Sequence, residues 1–287
     1  MTTALKALLA ERIDYAGLFA PASLPMEEAV ANFAAYRSGA DAWALGRLIV
    51  PVVLLDEFEA AAAPHFGGTP WRVSVLAQAT DADIIRAFNA RHAGHCRIDT
   101  VESRVATIAD VDALAPLAPM TVYVEIAVHN DPAPLVQAVA GHGLRAKVRT
   151  GGVTAEAIPS SADLARFLAT CARHRVALKA TAGLHHPLRG EYLLTYDPAS
   201  ARATMFGFVN VLLATSLAWR GLPESELAAL LDERSSDAFR VSAGGVGWRA
   251  HTLTTSQLAV DGRRGAVSFG SCSFREPLDD LSALFLP

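Results

Sequence analysis

RAKVRTGGVTAEAIPSSADLARFLATCARHRVALKAT, residues 145–181, holds one full repeat of the pattern that decides the fold. Arg145–Thr150 and Val176–Thr181 are short apolar runs of strand character. Between them, Ser161–His174 is a helical stretch that opens after Pro159 and Ser160, with Asp163 in its first turn. Strands that alternate with helices at this rhythm imply a parallel sheet.

The same rhythm runs outward in both directions. Further candidate strands are Arg12–Phe19, Leu45–Val53, Arg72–Ala77, Cys96–Val101, Thr121–Val128 and Gly265–Ser271. Candidate helices are Pro25–Arg37, Asp56–Ala62, Asp81–His92, Ile108–Leu114, Pro132–Gly141 and Thr204–Arg220. Eight strands in 287 residues fit a (β/α)8 TIM barrel of the α/β class, with an open doubly wound sheet as the alternative. Residues 1–287 are expected to form one barrel domain. The interval from Thr181 to Gly265 is too long for one loop and helix. An insertion over 188–262, between strands seven and eight, is therefore expected. It holds the apolar helix 204–220, a second helix around Pro223–Arg234 and a hairpin within Phe239–Leu258. It is expected to cover the barrel mouth or to form a subunit interface, which leaves a homo-oligomer open.

Composition narrows the function. The chain is 52% hydrophobic and 19% charged, with a net charge of −4 and no basic block. No nucleic-acid partner is expected, because phosphate tracking needs basic patches. The longest apolar run, Met205–Trp219, contains Asn210, Thr215 and Ser216 and reads as a buried helix, so no membrane partner is expected. Cys96, Cys171 and Cys272 are far apart and match no disulfide or metal-finger spacing, which suits a cytoplasmic protein. The stretch from Ala243 to Gly247 is rich in glycine but lacks the strand and helix of a nucleotide loop, and reads as a turn.

The lysines carry the chemical signal. The chain has 22 arginines but only three lysines, Lys6, Lys147 and Lys179. Arginine cannot replace lysine where a neutral amine must attack a carbonyl. Alternation places Lys147 and Arg149 on one face of strand six, Lys179 and Thr181 on one face of strand seven, and Tyr123 and Glu125 on one face of strand five. All lie near the strand ends that build active sites in barrels. Two lysines on neighbouring strands, about 4.8 Å apart, are expected to favour the neutral form of one of them.

Six motifs in order resemble those of deoxyribose-phosphate aldolase and its class I relatives. They are Ile13-Asp14-Tyr15 with Leu18 and Ala22, Ile98-Asp99-Thr100-Val101, Val122-Tyr123-Val124-Glu125, Lys147 through Gly151, Lys179 through Gly183, and Gly270-Ser271-Cys272-Ser273. The resemblance implies that Lys147 forms a Schiff base, that Lys179 tunes it, and that Asp99 relays protons. It departs where the family binds phosphate: Ala182 replaces a glycine, and His185 and His186 stand near an arginine's place. Arg149 replaces a small serine and suits a carboxylate. A distant relative with a changed substrate is expected.

The resulting scheme is a lyase acting on a small aldehyde or keto acid, with no cofactor and no metal. Lys147, Lys179, Asp99 and Glu125 are its catalytic residues. Asp14, Arg149, Thr181, His185, His186, Gly270 and Ser271 line its substrate site. Cys272 is expected to be a small core residue. One alternative is a metal-dependent lyase or isomerase using Asp99, Glu102, Glu125 and a histidine. Another is a barrel that binds a metabolite without turning it over.

Overall fold

A computed structural model describes residues 1–285. Helix α1 (Thr3–Leu9) precedes β1 (Ile13–Tyr15), and the chain then alternates through α2 (Met26–Ser38), β2 (Leu45–Pro51), α3 (Leu55–Ala62), β3 (Trp71–Leu76), α4 (Ala82–Arg91) and β4 (Cys96–Arg104). It continues through α5 (Ile108–Asp112), β5 (Thr121–Glu125), α6 (Ala133–Gly141), β6 (Arg145–Arg149), α7 (Ser161–Arg173) and β7 (Leu178–Thr181). After β7 come β8 (Gly190–Leu193), β9 (Arg202–Met205), α8 (Phe208–Ala218), α9 (Glu224–Leu231), β10 (Phe239–Val241), β11 (Gly245–Trp248), β12 (His251–Thr254) and α10 (Thr255–Arg264). Strand β13 (Ala266–Ser271) and helix α11 (Arg275–Phe285) end the described chain.

The strands β1 to β7 and β13 close into a parallel barrel in the order β1-β13-β7-β6-β5-β4-β3-β2. This is the (β/α)8 TIM barrel expected from the sequence. Its strands are apolar because both of their faces are covered; all four residues of β7 are buried. Helix α7 shows how local signals set the boundaries: the Ser160 hydroxyl accepts from the Asp163 amide at 3.1 Å and caps the first turn.

Two local features separate the structure from the expected pattern. Strand β4 runs on to Arg104, and its register with β3 slips between Val73↔Ile98 and Ser74↔Thr100. One residue, Asp99, is left without a partner there, as in a β-bulge. The second feature is the start of the 204–220 stretch, where Arg202–Met205 pairs antiparallel with Gly190–Leu193 and the helix begins only at Phe208. An apolar run of this kind suits a buried strand as well as a helix.

The 188–262 region is divided between the two ends of the barrel. The β8–β9 hairpin lies at the mouth, where Leu194 and Met205 border a cavity. Helix α8 is buried along its whole length and packs against α7, α9 and β13, as the barrel's own outer helix would. Asn210, inside it, is satisfied by the carbonyls of Leu230 and Glu233 and by the Arg189 amide. The three-stranded sheet β10–β12 and helix α10 instead pack on α1, at the N-terminal foot. Of the region expected to cover the mouth or to form a subunit interface, only the β8–β9 hairpin borders the mouth cavity. Among the described residues, no helix is long and apolar enough to cross a membrane.

Candidate active site at the barrel mouth

A row of alternating charges runs through the barrel. The Lys179 ammonium donates to Asp14 Oδ2 and to Glu102 Oε1, each at 2.6 Å. The other Glu102 oxygen takes Lys147 at 2.8 Å, and Lys147 also meets Glu125 Oε2 at 3.0 Å. Arg104, at the surface, closes the row on Glu125 at 2.9 Å. Ser74 donates to Glu102 Oε1 at 2.8 Å, and the Arg47 amide donates to Asp14 Oδ1 at 2.7 Å. Adjacent strands supply adjacent charges: Glu125 is opposite Lys147, and Lys147 is opposite Lys179.

Burial works against the charges of Glu102, Lys179 and Glu125, and their partners outweigh it. The two ammonium groups hold Glu102 well below the usual carboxylate range. Asp14 and Glu102 raise Lys179 above the ordinary lysine value. Lys147 and Arg104 lower Glu125. Lys179 is fully buried, and its charge lies 6.0 Å from the centre of the Tyr123 ring. The expected suppression of one lysine by the other is not what this geometry does, because Glu102 sits between them and pairs with both.

Above this row opens a cavity of about 270 Å³. Lys147 and Glu102 border it from below, and Arg149 borders it two residues further along β6. Its walls are largely apolar, with Phe19, Pro21, Ile49, Leu76, Leu194 and Met205 among them. Thr181, His185, Gly270 and Cys272 also border it. The backbone turns sharply beside it: Ala182 has φ +67° and Gly183 φ +77°. The Thr150 hydroxyl donates to the Ala182 carbonyl at 2.6 Å and holds this turn. A left-handed alanine costs about 1–2 kcal/mol, so the sequence maintains strain at this edge of the cavity.

The expected site residues therefore separate into groups. Lys147, Arg149, Thr181, His185 and Gly270 border the cavity. Lys179, Asp14 and Glu125 belong to the charge row beneath it. Ser271 is buried, with its hydroxyl 3.5 Å from His185 Nδ1. His186 faces away into a neighbouring groove, where it stacks on Tyr192 at 3.7 Å and pairs with Asp280 at 2.6 Å.

Asp99 is not in this group. It lies at the foot of the barrel, gripped by Arg47 at 2.5 and 2.9 Å and by Arg72 at 3.3 Å. The carboxylate at the level of the lysines is Glu102, three residues on. The sequence reading missed it as the lysines' partner because it ended the strand at Val101. A charge inventory is the available signal, since two buried lysines require buried carboxylates.

No family model and no curated protein matches the chain. Solved structures that resemble it include mandelate oxidase with 3,3-difluoro-2-hydroxy-3-phenylpropionic acid, at 14% identity and TM-score 0.38, over 78% of this chain and 74% of that one. Mandelate oxidase with benzoyl-formic acid is similar at 13% identity and TM-score 0.37, over 89% and 78%. Likenesses of this size assign no activity.

The class I aldolase scheme expected from the resemblance is corrected by the geometry of the site. Lys179 is locked as an ammonium between two carboxylates, and the proposed proton relay Asp99 is at the opposite end of the barrel. A Schiff-base lyase with Lys147 as nucleophile and Lys179 as its tuner is not what the site builds. The metal-dependent alternative is corrected as well: among the described residues no group of three or more His, Cys, Asp and Glu is placed to hold a metal ion. The oxygens of Glu102 and Glu125 are already engaged by cations.

Proposed function

We propose that the barrel mouth binds a small hydroxy or oxo acid, with Arg149 taking its carboxylate and the Lys147 ammonium donating to a second oxygen. The observation that carries this reading is the valence of Lys147. An ammonium has three donors. Two are used by Glu102 and Glu125, and the group borders an apolar cavity into which the third is free to point.

The dimensions suit such a ligand. Lys147 and Arg149 are two residues apart on one strand, so their backbone positions differ by ~7 Å. A compound of three to five carbons, with a carboxylate at one end and an oxygen near the other, spans that interval. The apolar walls favour a short hydrocarbon body. A fixed ammonium bordering a largely apolar pocket also stabilises negative charge that develops on a carbonyl or alkoxide oxygen. The site thus supports chemistry next to a polarised carbonyl, with Lys147 as the donor and not as a nucleophile.

The test is a thermal-shift and calorimetric screen of short 2-oxo and 2-hydroxy acids against the matching amides and alcohols. The reading expects acids to bind and neutral analogues to bind at least tenfold more weakly. Equal binding of acids and neutral analogues, or no binding of either, would refute it.

A further inference from the structure

Cys272 and His185 on the wall of the same cavity, with Glu276 and Tyr196 in the neighbouring groove, form a second constellation, which the charge row does not use. Cys272 follows β13, His185 follows the turn after β7, and Glu276 stands in the first turn of α11. His185 and Cys272 are buried yet border the cavity. The Cys272 sulfur lies 4.0 Å from His185 Nε2 and 3.8 Å from Nδ1. The Glu276 carboxylate is 3.3 Å from Nδ1. The Tyr196 hydroxyl donates to the same carboxylate at 3.0 Å and lies 3.4 Å from the sulfur.

We propose that Cys272 is a nucleophile that adds reversibly to the carbonyl carbon of a ligand in the barrel mouth, with His185 as its base and Glu276 as the residue that positions His185. The arrangement is nucleophile, base and orienting carboxylate in sequence. Nδ1–H donates to Glu276, which leaves the Nε2 lone pair for the thiol proton. In the step, the Cys272 proton passes to Nε2 while the sulfur forms a C–S bond to the carbonyl carbon. The π pair of the C=O moves onto oxygen, which then takes the proton from the imidazolium. The product is a hemithioacetal, and nothing is oxidised or reduced. The Lys147 ammonium on the same cavity serves the oxygen.

The groups around the imidazole agree with this role. Glu276 faces it from α11, Ser271 at the end of β13 and Cys272 just after it face it from the barrel, and Tyr196 faces it from the mouth hairpin. His186, next in sequence, is held by Asp280 of α11. Burial alone would lower His185; its bonds to Cys272 and Glu276 reverse this and raise it to about 9.

The carbonyl class of the ligand rests on the reading of the mouth given above; the activation of the thiol does not. The experiment separates the two. Iodoacetamide labelling at pH 7, followed by peptide mapping, is run with Cys96 and Cys171 as internal controls, since both are buried thiols away from the cavity. Cys272 is expected to react at least tenfold faster than free N-acetylcysteine, and His185→Gln is expected to remove that advantage. Glu276→Gln is expected to shift the pH midpoint of labelling while Cys272 stays modifiable. The pH profile of the wild-type protein stands alone if a variant fails to fold.

Labelling of Cys272 as slow as that of Cys96 and Cys171, or unchanged in a folded His185→Gln protein, overturns thiol activation. Glyoxylate, which carries an aldehyde beside a carboxylate, is then added as a competitor. Protection of Cys272 supports addition to the carbonyl. If glyoxylate binds without protecting Cys272, addition is overturned and the acid-binding reading stands. If Cys272 is fast but glyoxylate and the other acids do not bind, it is the acid-binding reading, and with it the carbonyl ligand, that falls.

Discussion

Replacing Glu102 by glutamine tests the charge row at its centre. The side chain keeps its shape, but one carboxylate oxygen becomes an NH2 group. In the wild-type protein the two oxygens serve Lys179 at 2.6 Å, Lys147 at 2.8 Å and Ser74 at 2.8 Å. Glutamine retains an acceptor for one lysine and turns a donor towards the other. Removing one partner from a buried ion pair costs about 3–5 kcal/mol. Asp14 still serves Lys179 and Glu125 still serves Lys147, so the lower end, about 3 kcal/mol, is expected. For a chain of this size that lowers Tm by roughly 6–10 °C.

The assay is urea unfolding of both proteins at several pH values. Glu102 is held below its unfolded value of about 4.3, so its contribution is fully present above that pH and is lost as pH falls towards the folded value. The gap between wild type and Glu102→Gln is therefore widest at neutral pH and narrows below about pH 4. A variant within ~0.5 kcal/mol of wild type at pH 7, or a gap that does not change with pH, would refute the reasoning.

Three further perturbations probe other parts of the structure. Arg149→Met, at an exposed position bordering the cavity, is expected to weaken acid binding roughly 10- to 100-fold by calorimetry, with Tm unchanged. Asp99→Ala removes the grip of Arg47 and Arg72 at the foot; a loss of about 1–3 kcal/mol with unaltered ligand affinity is expected, and altered affinity would return Asp99 to the site. Gly207→Ala would set its Cβ 2.3 Å from Leu188 Cα and 2.4 Å from the Pro187 carbonyl. Because those atoms are backbone, it is expected to cost about 1–3 kcal/mol in urea unfolding and to displace the β8–β9 hairpin from the mouth.

Much of the barrel was legible because its signals are local. All eight of its strands overlap the apolar runs read from the sequence, and helices α5 and α7 carry ordinary N-caps at Thr107 and Ser160. Lys147 and Arg149 share the cavity because alternation along a short, regular strand is reliable. Asp99 was misplaced because the β4 bulge and the strand's extension to Arg104 depend on pairing with β3, which no local pattern reports. The two lysines were read as repelling each other because the sequence does not show which carboxylate stands between them. The 188–262 region was hard to read for a related reason: its strands pair across loops, its hairpin β8–β9 and its sheet β10–β12 pack at opposite ends of the barrel, and α8 between them packs on the barrel's side. Cys272 and His185 are 87 residues apart and meet only when β13 closes beside β7.

The central claim is that Lys147 donates to the ligand while Lys179 is locked beneath it. The chain has only three lysines, so 15N-lysine labelling yields three side-chain ammonium signals, assigned by Lys6→Arg and Lys147→Arg variants. Titration with a short 2-oxo acid should move the Lys147 signal strongly, move that of Lys179 slightly, and leave Lys6 unchanged. A ligand that binds without moving Lys147 would contradict the account.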